Sequence, residues 1–188
     1  MDNLYEDLIA KYPGLFPIGK IPCSSSIDCG VGWYQLISLL CENINSHVSY
    51  VRKERMWALL KNRALERARR HNDPTILVRY FTKRFPTLSN QWVLEKSANE
   101  FNCGAIQKLA PVCKKVAILQ VKEKFGTLRF YTQGGDSTVY GMIRMAESMS
   151  AVICEYCGNP GKAGGSRWVK TLCPCCHATR EAELNGNK

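Results

Sequence analysis

A chain of 188 residues with 45% hydrophobic and 22% charged side chains is ordinary for a globular protein, which excludes extensive disorder and leaves room for one domain or one domain with a small metal-stapled appendage. The most hydrophobic run, Val116 to Val121, falls far short of the roughly 18 residues a bilayer span needs, and the acidic opening Met1-Asp2-Asn3-Leu4-Tyr5-Glu6-Asp7 is unlike a signal peptide. The net charge of +10 sits in the middle: residues 1–48 hold two basic and five acidic side chains, residues 49–115 fifteen and five, residues 116–188 nine and six.

Ten cysteines without an export signal read as reduced thiols, some holding metal, and so point to the cytosol. The chain opens with a loop-rich stretch from Tyr12 through Cys29-Gly30-Val31-Gly32-Trp33, where Pro and Gly discourage regular structure. Trp33, Leu36, Ile37, Leu40, Cys41 and Ile44 then recur at helical spacing, predicting a helix to about Asn45. A second helix is predicted over 50–70, with Val51, Met56, Leu59, Leu60 and Ala64 as its apolar positions. Asp73-Pro74 reads as the cap and first-turn proline of a short helix carrying Ile76, Leu77, Tyr80 and Phe81 that stops before Pro86; another helix covers Asn90 to Phe101.

The period changes at Val116. Val116 to Phe125 is rich in strand formers, Gly126-Thr127 reads as a turn, and Leu128-Arg129-Phe130-Tyr131 returns as the partner strand. Gly134-Gly135-Asp136-Ser137 then caps a helix of about fourteen residues whose buried face is Val139, Met142, Ile143, Ala146 and Met149. The expectation is an α+β protein in four segments: an N-terminal loop and helix of the core at 1–48, a basic helical insertion at 49–115, a β-hairpin and helix of the core at 116–152, and a zinc finger at 153–188.

Cys154, Cys157, Cys173 and Cys176 give two C-x2-C pairs, a spacing that lets each pair of thiolates face one ion across a tight turn. Four such ligands complete the tetrahedron that zinc prefers, so the expected cofactor is a structural Zn2+ with no open position for water. Free core cysteines are the bland alternative. Cys175 can replace a neighbour as ligand and His177 can replace Cys176, though only Cys173 with Cys176 keeps the spacing. Helix-forming residues from Ala178 to Leu184 admit a treble-clef-like finger beside a zinc ribbon. Cys41 lies on the apolar stripe, and Cys23 with Cys29 and Cys103 with Cys113 are too widely spaced for a compact metal turn, so buried thiols are expected there.

Eight cations, Arg52, Lys53, Arg55, Lys61, Arg63, Arg67, Arg69 and Arg70, face only Glu54 and Glu66 on the second helix, and phosphate is their natural complement. Lys122, Lys124 and Arg129 beside Phe130 and Tyr131 can extend that footprint through stacking. A solvated face, or an acidic partner protein, suits the same charges. His47, His71 and His177 lie in no catalytic motif, the interval from Cys157 to Cys173 holds no histidine for a zinc-finger nuclease, and no phosphate-cradling glycine loop or paired-carboxylate motif appears. A Cys–His nucleophile pair would have to be assembled in three dimensions.

Val121-Lys122-Glu123-Lys124-Phe125-Gly126-Thr127-Leu128-Arg129-Phe130-Tyr131 resembles a family of mostly uncharacterised proteins encoded by bacteriophages and prophages. Cys29-Gly30-Val31-Gly32-Trp33, Ala146-Glu147-Ser148, and Cys154 to Gly161 followed by Trp168, Thr171-Leu172-Cys173 and Cys176 agree with it. The likeness covers roughly residues 12–47 and 116–177; the family's connector in between is shorter. It implies a phage origin and action in the host bacterial cytoplasm, and it brings no activity with it. The function expected is non-catalytic: an accessory protein engaging nucleic acid or a nucleic-acid-containing host complex of defence or transcription. The alternatives are a protein–protein inhibitor set against an acidic host protein, and an enzyme if a pocket gathers His47 or His71 with a cysteine or carboxylates.

Overall fold

The computed structural model describes residues 3–17, 27–165 and 168–186; Cys23 lies outside them. The architecture is α+β, and the chain divides into two compact units, one of residues 1–48 with 113–188 and one of residues 49–112. Among the described residues no helix is long and apolar enough to cross a membrane.

In the first unit, helix α1 (Asn3–Lys11) leads through a turn to Leu15 and Phe16, and strand β1 (Ile27–Asp28) pairs in parallel with β2 (Lys114–Lys124). Antiparallel β3 (Thr127–Gly135) completes a sheet ordered β1-β2-β3. The sequence places the hairpin turn one residue late. Phe125 and Gly126 both take positive φ (54° and 77°), as the tight hairpin turn matching strand twist requires, and the Glu123 carboxylate accepts from the Gly126 amide at 2.7 Å. The register slips between Ile118 and Gln120, a bulge that moves the inward face by one residue; Val116 and Ile118 are buried before it and Val121 after it.

Helix α5 (Ser137–Ser150) is capped by Asp136, which accepts from the amides of Thr138 and Val139. Val139, Ile143 and Ala146 are buried as expected. Met149 is 42% exposed, because the face that meets β3 turns instead through Ser150, whose hydroxyl accepts from the Leu128 amide.

The two helices read from 33–45 and 50–70 are one helix, α2 (Tyr34–His71), of 38 residues. Nothing in Ser46-His47-Val48-Ser49 breaks it: these residues lower helix propensity by tenths of a kcal/mol each, far less than Gly or Pro. The division between the units falls inside this helix, at Val48/Ser49.

The second unit is helical. Beyond Ser49, α2 is joined by α3 (Thr75–Arg84) and α4 (Asn90–Cys103) around Leu65, Ala68, Leu77, Phe81 and Val93. Phe81, Phe85 and Trp92 meet in edge and stacked contacts with centroids 5.4–6.4 Å apart. Ser89 caps α4 by accepting from the Trp92 amide, and Asp73 closes the entry to α3 by accepting from both the amide and the hydroxyl of Thr75.

Candidate functional site

A cysteine cluster in the first unit and a basic groove in the second carry the residues read from sequence. Cys154 and Cys157 lie on a knuckle that closes through the Gly158 amide to the Cys154 carbonyl at 2.9 Å, with Gly158 at φ 80°. A short hairpin, β4 (Lys162–Gly164) with β5 (Lys170–Leu172), returns the chain to Cys173, and helix α6 (Pro174–Gly186) carries Cys176 in its first turn. Knuckle, hairpin and helix make the treble-clef-like form of the finger, not the flat ribbon.

The four sulfurs lie within 4.8 Å of one another and none is in a disulfide; Cys157 and Cys173 stand 3.6 Å apart. A tetrahedral ion bonded at 2.3 Å sets neighbouring sulfurs about 3.8 Å apart, so the cluster has the dimensions of a metal centre. Burial opposes ionisation of Cys154, but hydrogen bonds from the backbone at Cys173, Cys157 and Tyr156 outweigh it and bring this thiol down to about 7. The Cys173 and Cys157 thiols push Cys176 upward. A divalent cation shared by the four sulfurs would favour the thiolate form at each. Cys175 is exposed, and the His177 imidazole turns to Glu181 at 3.6 Å, so neither alternative ligand belongs to the cluster.

The finger is held to the rest of its unit by polar contacts the sequence does not announce. The Trp33 indole donates to the Ile153 carbonyl at 2.9 Å, and the Gly32 amide to the Glu155 carbonyl at 2.8 Å. Glu155, 2% exposed, accepts from the Gly30 amide and pairs with Lys170 at 2.7 Å. Backbone approaches so closely that a Cβ on Gly30 or Gly32 would collide with knuckle carbonyls, which gives the Cys29-Gly30-Val31-Gly32-Trp33 segment its composition.

The second arrangement is a groove of about 570 Å3 in the helical unit, between α2 and α3. Arg63, Arg67 and Arg70 recur at i, i+4 and i+7 on α2, and Arg79 and Lys83 at i, i+4 on α3. All five are exposed, and Glu66 is the one acidic residue lining the groove with them. Trp57 and Tyr80 line it in edge contact, centroids 5.9 Å apart, and the buried Trp57 Nε1 has no hydrogen-bond partner.

The basic residues singled out from sequence therefore separate. Arg63, Arg67 and Arg70 enter the groove; Arg52 and Lys53 are exposed on the same helix outside it. Three others make contacts within their own unit. Lys61 pairs with Glu100 at 2.6 Å with both side chains largely buried, Arg69 donates to the carbonyls of Phe101 and Gly104 at the end of α4, and Arg55 donates to the Ala110 carbonyl. Distant acceptors decide this, and local sequence carries no trace of them. Arg79 and Lys83 lie beyond the basic stretch of the second helix, and their i, i+4 spacing on a short helix is a readable signal of the groove's other wall.

In the other unit Lys122 lies over the Tyr131 ring and Lys124 over the Phe125 ring, at 5.5 Å each, while Arg129 donates to its neighbour's carbonyl. Phe130 is buried; Tyr131 is 43% exposed. His71 is exposed, Cys41 is buried, and Cys103 is exposed instead of buried, being the last residue of α4. Cys29 lies beside the Tyr5 hydroxyl at 3.5 Å. His47 meets Asp136 at 2.9 Å with Cys113 close by.

No protein-family model matches the chain, and comparison with curated proteins and with solved structures gives no match.

Proposed function

We propose that the protein is a non-catalytic, zinc-binding phage accessory protein that acts in the host bacterial cytoplasm by engaging nucleic acid, or a host complex containing it. The observation that carries this is the groove: five cations against one carboxylate, around two aromatic rings. Phosphates complement such a surface, and release of their counterions supplies affinity without reading sequence. Trp57 and Tyr80 add faces for bases or sugars. The resemblance of the hairpin, glycine and knuckle motifs to phage proteins supports the origin.

Four thiolates favour zinc over harder cations, and saturating the tetrahedron gives the ion a structural role. Binding is favoured over catalysis because the trio of His47, Cys113 and Asp136 keeps its sulfur inaccessible: Cys113 is 3% exposed, too little for a nucleophile that must reach a substrate.

A salt titration of binding to generic duplex and single-stranded DNA and RNA tests the reading. The logarithm of affinity is expected to fall linearly with the logarithm of salt, and Arg63→Glu with Arg67→Glu to weaken binding at least tenfold, lower the slope and leave the helical circular dichroism unchanged. Absence of binding at low ionic strength overturns it. Capture of an acidic host protein that the same pair of substitutions abolishes, with no nucleic-acid binding, would replace it with the protein–protein inhibitor.

A further inference from the structure

Sheet register brings together three residues far apart in sequence. Lys114 at the start of β2 pairs with Gly135 at the end of β3, so Cys113 and Asp136 leave the hairpin side by side, and His47 of α2 reaches the same place. Gly134 and Gly135 both take φ of 86°; a Cβ on Gly134 would collide with the Lys115 carbonyl, so the strand ends as it does only with glycine there. One donor atom from each of His47, Cys113 and Asp136 lies within 4.8 Å of the other two.

We infer that His47, Cys113 and Asp136 form a second metal site, distinct from the four-cysteine centre, for a borderline divalent ion such as zinc. Imidazole, thiolate and carboxylate are the three protein ligands that leave a fourth tetrahedral position open to water. Asp136 Oδ1 accepts from the Thr138 and Val139 amides and fixes the carboxylate, and His47 Nε2 lies against both oxygens, nearer Oδ2 at 2.9 Å than Oδ1 at 3.2 Å. An ion takes the place of the proton that Nε2 and Oδ2 share, and ligands about 3.3 Å apart around it require an opening of only a few tenths of an ångström. The Cys113 thiol passes its proton to solvent on binding. The sulfur is buried, whereas His47 and Asp136 side chains are 18% and 31% exposed, so an ion has a way in that a larger molecule lacks.

The test is metal content of the full chain after zinc loading and desalting, with Co2+ as the spectroscopic probe. Two equivalents per chain are expected, the first giving the strong charge-transfer bands of four thiolates and the second a weaker one-thiolate spectrum. Cys113→Ser and His47→Ala each remove the second equivalent and leave the first spectrum intact, which also reports that the fold survives. Asp136→Asn, which keeps a capping oxygen, weakens the second site at least tenfold with unchanged helical content. Cys173→Ser removes the first and spares the second. A wild-type chain that retains one equivalent, or a second equivalent that persists in both Cys113→Ser and His47→Ala, overturns the site.

Discussion

Residues 154–186 and residues 49–112 reach order by opposite routes. The finger has almost no apolar interior of its own: Cys154, Leu172 and Cys173 are its buried cluster, with Cys176 against them. The helical unit buries Leu65, Ala68, Leu77, Phe81 and Val93 and packs four further aromatic residues, Tyr80, Phe85, Trp92 and Phe101, on them. A segment so short cannot bury enough surface to offset its conformational entropy, and four cysteines placed to hold a metal ion stand where a core would be, whereas aromatic packing suffices for three helices. The difference teaches which perturbation each region feels.

The largest effect should come from the metal. Cys157→Ser, or chelation of the wild type, removes binding energy on the order of 10 kcal/mol from the finger. Amide exchange is expected to rise to unprotected rates across 154–176 while the core amides of α3 and α4 keep their protection. Loss of protection in both regions together would break the comparison.

A smaller effect sharpens it from the helical side. Lys61→Ala strands the Glu100 carboxylate, itself 8% exposed, and should destabilise the helical unit by about 3 kcal/mol, whereas Arg63→Ala two residues on should stay within about 0.5 kcal/mol. Urea denaturation of the two variants checks this, and equal midpoints would mean that Lys61 is as solvated as its neighbours.

The smallest effect concerns Asp73. The hydroxyl and amide of Thr75 hold its carboxyl below the usual carboxylate value. A lowered folded value means a stabilising contribution that is complete above the unfolded pKa near 4 and disappears as pH falls through the folded value. Asp73→Asn should therefore melt slightly below wild type at pH 7, with the gap closing below about pH 4. A gap that widens in acid would contradict the sign.

The finger was legible because its signal is local: two C-x2-C pairs declare four ligands, and helix-forming residues after Cys176 anticipate α6. The helices of the middle were legible from their period, but the sequence reading splits α2 into two helices where no Gly or Pro at 46–49 interrupts it. What sequence could not supply was partnership at a distance. Lys61 and Arg63 look alike until Glu100 arrives beside one of them, Phe130 and Tyr131 alternate until β3 puts one inside and one out, and His47 meets Asp136 across 89 residues only through the sheet register.

The close approach of Gly30 and Gly32 to the knuckle makes the finger a poor candidate for transplantation. Its inner surface is completed by peptide groups and an indole supplied some 120 residues earlier, so a fragment beginning at Cys154 would bind its ion yet expose the edge that Trp33 and Gly32 normally cover. Chains sharing this finger should accordingly share a glycine-spaced entry loop, the two changing in concert or not at all.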